Sequence, residues 1–205
     1  MKKRSQARRP AEAPPQRGGV PPNFRETLHW QITQSSWRLT VVNLLAVPTL
    51  VVFGILFFGW AALFNRLTLN ARYGVNYGVD FVVAIVAMLV LHEALHGLAM
   101  VAYGARPRFG ILWQALMFYT TAPGYAFRRN DYVVVVLAPL VGLSLLALMG
   151  VVVASPSAAL LLVGVATLNA AGAVGDIWIL SVVLRYPAHA YVMDEKDGLR
   201  IFLPA

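Results

Sequence analysis

Four stretches of this chain, residues 39–64, 81–103, 132–154 and 157–184, are almost unbroken runs of Val, Leu, Ile, Ala, Phe, Met and Gly. Each exceeds the about 20 residues that a helix needs to cross a hydrocarbon layer roughly 30 Å thick. Lipid offers no partner to a backbone N–H or C=O, so a spanning segment must be a helix or belong to a closed barrel. Runs that are apolar on every face select helices, because barrel strands alternate. The expected fold is an all-α integral membrane protein with four transmembrane helices. Hydrophobic residues make up 59% of the 205 and the mean hydropathy is +0.64, which sets the chain apart from ordinary soluble domains. With no cysteine, disulfide frameworks and thiolate metal sites are excluded, and a metal site must use His, Asp and Glu.

The spans carry local signals. Pro48 lies in the first and Pro139 in the third, where each is expected to kink its helix. Only Ser155-Pro156 separates the third and fourth, which should form a tight antiparallel pair. The fourth is long enough to be tilted, or broken near Gly172 and Gly175. Ser144, Thr167 and Ser181 are expected to bond local carbonyls. Tyr103, Tyr132 and Tyr186 stand at span ends, with Trp30 and Trp37 ahead of the first, as in interfacial aromatic belts.

Net charge is +8 and its distribution sets an orientation. Lys and Arg number eight in residues 1–38, two in 65–80, four in 104–131, none at the Ser155-Pro156 turn and three from Arg185 onward. The positive-inside rule then puts both termini in the cytoplasm of a multi-pass cell-membrane protein, with Arg128 and Arg129 anchored at the inner interface. Residues 1–36 read as a basic cytoplasmic tail, disordered to about Pro22, held near anionic lipid. No aromatic RNA-binding motif accompanies the charge, so no specific nucleic acid is expected as a partner. The apolar run begins too late for a signal peptide.

Residues 37–186 form the membrane domain. Within it, residues 104–131 are apolar yet too short and too flanked by Arg to span, so a re-entrant segment or interfacial β-hairpin turning at Pro123-Gly124 is expected. Residues 187–205 read as a cytosolic hairpin with its turn at Lys196-Asp197-Gly198. No internal repeat is evident, whereas transporters built from inverted repeats normally show one.

Against this background the ionisable residues stand out. The spans hold only His92, Glu93, His96 and Asp176, and a lone charge in hydrocarbon costs roughly 3 kcal/mol on insertion scales. His92-Glu93-Ala94-Leu95-His96 is an HExxH motif, which puts both imidazoles on one helix face within reach of one ion. Glu93 lies about 100° around the helix, where it would address a water instead of the metal. His92 and His96 are eleven and seven residues before Tyr103, and Asp176 is nine before Arg185. Both spans run the same way, so at about 1.5 Å per residue Asp176 comes level with the imidazoles as a candidate third ligand. Two His, one carboxylate and an open position are the coordination of catalytic zinc. Ala170, Ala171, Gly172, Ala173 and Gly175 permit close helix approach. Asn169, on the same face, could orient a ligand, hold a substrate carbonyl or simply bond a neighbouring helix.

These motifs carry a resemblance. His-Glu-Ala-Leu-His on one membrane helix with Asn-Ala-Ala-Gly-Ala-Val-Gly-Asp on a later one resembles intramembrane zinc metalloproteases of the site-2 protease type. It is more similar to a small membrane family known as putative zincin peptidases, a domain of unknown function. Ala138-Pro139, Gly175-Asp176 and the C-terminal Asp with its hairpin also look like that family. The resemblance covers the chain from about Trp37 onward. It implies that His92, His96 and Asp176 bind Zn2+, that Glu93 is the catalytic general base, and that the substrate is a transmembrane or membrane-proximal peptide. The site-2 motif has Pro and then Leu-Asp-Gly, whereas here Gly175 precedes Asp176 and Ile177 follows it. Two other classes use the same residues: a divalent-metal transporter with a transit site, and an inactive scaffold whose polar cluster joins helices without metal.

Overall fold

A computed structural model describes residues 18–31, 35–67, 76–113 and 117–205. Most of the basic tail (residues 1–17 and 32–34), the larger part of the loop after the first span and residues 114–116 lie outside the described residues. The long apolar runs are helical: α1 (Ser36–Leu63), α2 (Tyr77–Ala102) and α3 (Arg129–Val153). Each is long and apolar enough to cross a membrane. The last run is two helices, α4 (Pro156–Gly172) and α5 (Val174–Val183), bent by about 40° at their junction, and the pair would make a fourth span. Gly172 and Gly175, poor helix formers, flank that junction. Ser155 starts α4, its Oγ accepting from the Ala158 N–H, with Pro156 in the first turn, where its missing N–H costs nothing.

The bundle packs α1 on α4, α2 on α3 and α3 on α4. Phe57, Ala61, Ala147, Val151, Ala159 and Val163 fill its middle. Small residues set the spacing between helices: a Cβ on Gly142 would stand 3.2 Å from Leu95, and one on Gly164 would stand 3.0 Å from Phe81. Outward-facing Val82, Val86, Val90, Leu145 and Leu146 are exposed, an apolar surface of the kind that a bilayer could cover.

The expectation of an all-α chain needs correction, because the described residues also form two sheets. One holds β2 (Arg108–Leu112) against β3 (Met117–Thr121). The other is four-stranded and antiparallel in the order β1-β6-β5-β4, from β1 (Phe24–Gln31), β4 (Ala126–Arg128), β5 (Tyr191–Glu195) and β6 (Gly198–Pro204). The Pro123-Gly124 turn does not close the β2–β3 pair. With Gly124 at φ +78°, it steers the chain from β3 in one sheet to β4 in the other.

Strand β1 falls within the segment read as a tail. Its partner β6 is some 170 residues away, so the pairing that stabilises it leaves no local signature. Trp30 of β1 joins Phe127, Tyr132, Val192, Leu199 and Ile201 in a core between sheet and helices. Gly198 pairs with Gln31 and Glu195, and a Cβ there would lie 2.0 Å from the Trp30 carbonyl oxygen. Gly198→Val is therefore expected to part β1 from β6. Overpacking of this kind costs about 1–3 kcal/mol, so thermal unfolding of the purified variant in detergent should come earlier by on the order of 5 °C.

Candidate metal centre

Helix α2 sets His92 and His96 one turn apart, their ring centroids separated by 5.1 Å. The α4–α5 bend places Asp176 in the first turn of α5, facing both rings. Its Oδ2 lies 3.2 Å from His92 Nε2 and its Oδ1 3.6 Å from His96 Nε2. One ligand atom from each of the three residues falls within 4.8 Å of the others, a group that could hold a metal ion. The structure thus brings together the three residues that the sequence singles out.

The outer nitrogens decide what the inner ones can do. His92 Nδ1 is 2.9 Å from Asn169 Oδ1, and Asn169 Nδ2 points to the Pro139 carbonyl at 3.5 Å, which fixes the amide orientation. His96 Nδ1 is 2.9 Å from the Val135 carbonyl. That carbonyl is available because the residue four positions later is Pro139, which has no N–H to occupy it. Both Nδ1 atoms meet acceptors and so carry the protons. Both Nε2 atoms then turn lone pairs toward a carboxylate. Asp176 Oδ2 is buried and makes no hydrogen bond among the described residues. In that tautomer a cation between the two Nε2 atoms and the carboxylate satisfies all three, and two imidazoles with one carboxylate suit zinc. The residues present therefore fit a bound zinc ion.

Glu93 does not join this group. Its Oε2 accepts a 2.7 Å hydrogen bond from Thr120 Oγ1, which also lies 3.0 Å from the Glu93 carbonyl oxygen. Strand β3 thus reaches the residue next to His92. Glu93, His96, Thr120, Tyr132, Asp176 and Asp194 share the wall of one cavity, with Trp30 and the β5–β6 turn at its edge. Arg129, expected at an interface, donates to the Tyr186 carbonyl at 2.8 Å. Thr167 and Ser181 bond local carbonyls as anticipated. Ser144 does not, since its Oγ is buried without a partner among the described residues.

Four contributors escaped the sequence reading. Pro139 was expected only to kink α3, yet its position four residues after Val135 is the signal for a freed carbonyl. Asp194 alternates with Val192 on the buried face of β5, an inward acid legible from period two. Thr120 carries no comparable mark, and Tyr132, expected in an interfacial aromatic belt, is instead buried in the core. Asn169 is close to His92, and Asn169→Ala would free that ring to rotate and change tautomer. Losing such an orienting partner lowers metal affinity by about 10–100-fold, which a zinc competition titration would measure.

A family model described as "Putative zincin peptidase" matches residues 85–191, a span that includes His92, Glu93, His96, Asn169 and Asp176. No curated protein and no solved structure matches the chain.

Proposed function

Because the chain belongs to the putative zincin peptidase family, we propose that it is an intramembrane zinc metallopeptidase hydrolysing peptide bonds of membrane-embedded or membrane-proximal substrates. The observation that carries this reading is the trio His92, His96 and Asp176, placed to hold one ion, two of whose members, His96 and Asp176, line a cavity together with Glu93. In this reading His92 and His96 through Nε2 and Asp176 through its carboxylate hold the ion. Bound zinc supplies a water acidified toward neutral pH and a positive charge for the developing oxyanion. Glu93 is the general base. Thr120 engages its Oε2, leaving Oε1 to take a proton from the attacking water and return it to the leaving nitrogen. Val135 and Asn169 hold the rings in the tautomer that binds metal.

The substrate must be extended at the scissile bond, since a helix hides its carbonyls. Strand β3 belongs to a sheet of only two strands, and its Thr120 touches Glu93. An extended peptide added to that sheet would lie alongside the base. The membrane setting is supported by the three apolar helices and the bent pair. Cytoplasmic termini are supported by the Lys and Arg distribution and by the pairing of β1 with β6, which puts both ends of the described chain in one sheet.

The direct test is the zinc content of the purified protein together with its cleavage of fluorescein-labelled casein in detergent. About one zinc per chain with cleavage supports the proposal. A stoichiometry near zero eliminates both the peptidase and the metal-transport readings.

A further inference from the structure

The cavity holds one more carboxyl group, for which neither the zinc group nor Glu93 accounts. Asp194 is 8% exposed and stands in the cavity wall with Glu93, His96 and Asp176. Its Oδ1 accepts from the hydroxyl of Tyr132, itself fully buried. Its backbone carbonyl accepts from Thr121 Oγ1 at 3.1 Å. Its Oδ2 is buried and has no partner among the described residues, and none of the ion pairs found among them involves Asp194. A carboxyl with a purely structural task normally has both oxygens satisfied. This one is half satisfied at the edge of a space where a peptide would lie.

We propose that Asp194 is a substrate-binding residue, its Oδ2 donating a hydrogen bond to a backbone carbonyl of the extended peptide beside the scissile bond. The inference rests on the peptidase reading of the same cavity. A buried carboxylate without a cation is costly and takes up a proton instead. Burial, opposed chiefly by the Tyr132 hydrogen bond, lifts the Asp194 carboxyl from 3.8 to about 7. With Oδ1 occupied as an acceptor, the proton belongs on Oδ2. A protonated carboxyl is a donor, the complement of a peptide carbonyl. The charged and titratable groups that share the cavity with it are Glu93 and His96 from α2, Tyr119 from β3, Tyr132 from α3, Asp176 from α5, Glu195 from β5, and Lys196 and Asp197 from the β5–β6 turn.

The test is binding of fluorescein-labelled casein, an unfolded chain, to zinc-loaded protein carrying Glu93→Gln, followed by anisotropy across pH 6 to 8. Adding Asp194→Ala should weaken binding about fivefold, the worth of one hydrogen bond. Adding Asp194→Asn, whose amide is also a donor, should change it less than twofold. Binding should weaken as rising pH ionises the Asp194 carboxyl and lose that dependence with Asn. Zinc content equal to the parent shows that each variant is folded. In the infrared, the carbonyl stretch of a protonated carboxylic acid should vanish in Asp194→Asn, a readout independent of any peptide. Unchanged binding by Asp194→Ala overturns the proposal. So does Asp194→Asn binding as weakly as Asp194→Ala, which would make the group an ionised acceptor. Failure of the zinc-loaded wild type to cleave casein while the Asp194 affinity loss persists would fell the peptidase reading and leave the binding site standing.

Discussion

Glu93→Gln should leave the protein with its full zinc content and reduce peptide cleavage by about 100-fold to 10,000-fold, the range that general acid–base catalysis contributes. The argument is geometric. Glu93 lies outside the group of His92, His96 and Asp176 that could hold a metal, so the substitution removes no candidate ligand. Gln keeps the size of the side chain and an oxygen for the Thr120 hydroxyl, so the link between α2 and β3 survives. It cannot accept a proton from water. Parallel measurement of zinc by mass spectrometry and of cleavage rate separates the alternatives. A variant that cleaves as fast as the parent would remove Glu93 from the role of base, whereas metal-ion flux that tolerates the substitution, without cleavage, points to a transit site. A variant that loses zinc would place Glu93 among the ligands.

His96→Ala and Asp176→Ala should do the opposite and lose the metal. Each removes one of three donors, and the effect should exceed the about 10–100-fold that follows from disturbing a donor's orienting partner. The buried surroundings enlarge it. Removing Asp176 leaves two imidazole nitrogens turned toward each other, and removing His96 strands a buried carboxylate oxygen. Zinc per chain after dialysis should fall from about one to near zero in both, with cleavage lost in step. Comparison with Asn169→Ala, expected to bind more weakly but still to bind, ranks the inner and outer residues of the centre.

The helices and the candidate metal group were legible in the sequence for one physical reason: lipid penalises polar atoms so heavily that the few found in apolar runs stand out as candidates for function. Hydropathy placed the spans, and residue rise alone brought Asp176 level with His92 and His96. The strands were less legible because their stabilising partners are distant. Nothing near Phe24 or Trp30 indicates that Leu199 and Ile201 will complete their packing. The residues that tune the centre act through backbone geometry. A proline releases a carbonyl for His96, a bend after Gly172 turns Asp176 inward, and the Pro123-Gly124 turn sends the chain between sheets. The break near Gly172 and the Pro123-Gly124 turn were legible as local signals, but what each brings together is a consequence of tertiary arrangement, which a reading of residue types along the chain does not reach.

The pairing of β1 with β6 has a consequence for biogenesis. On the ribosome β1 emerges long before its mate, and all five helices are synthesised before residues 198–204 arrive to dock beside it. Trp30 and Gly198 both border the cavity, so its rim closes only when synthesis has reached that final strand. A chain that stops short of β6 would hold the histidines without the enclosure that Trp30 and Gly198 give the cavity.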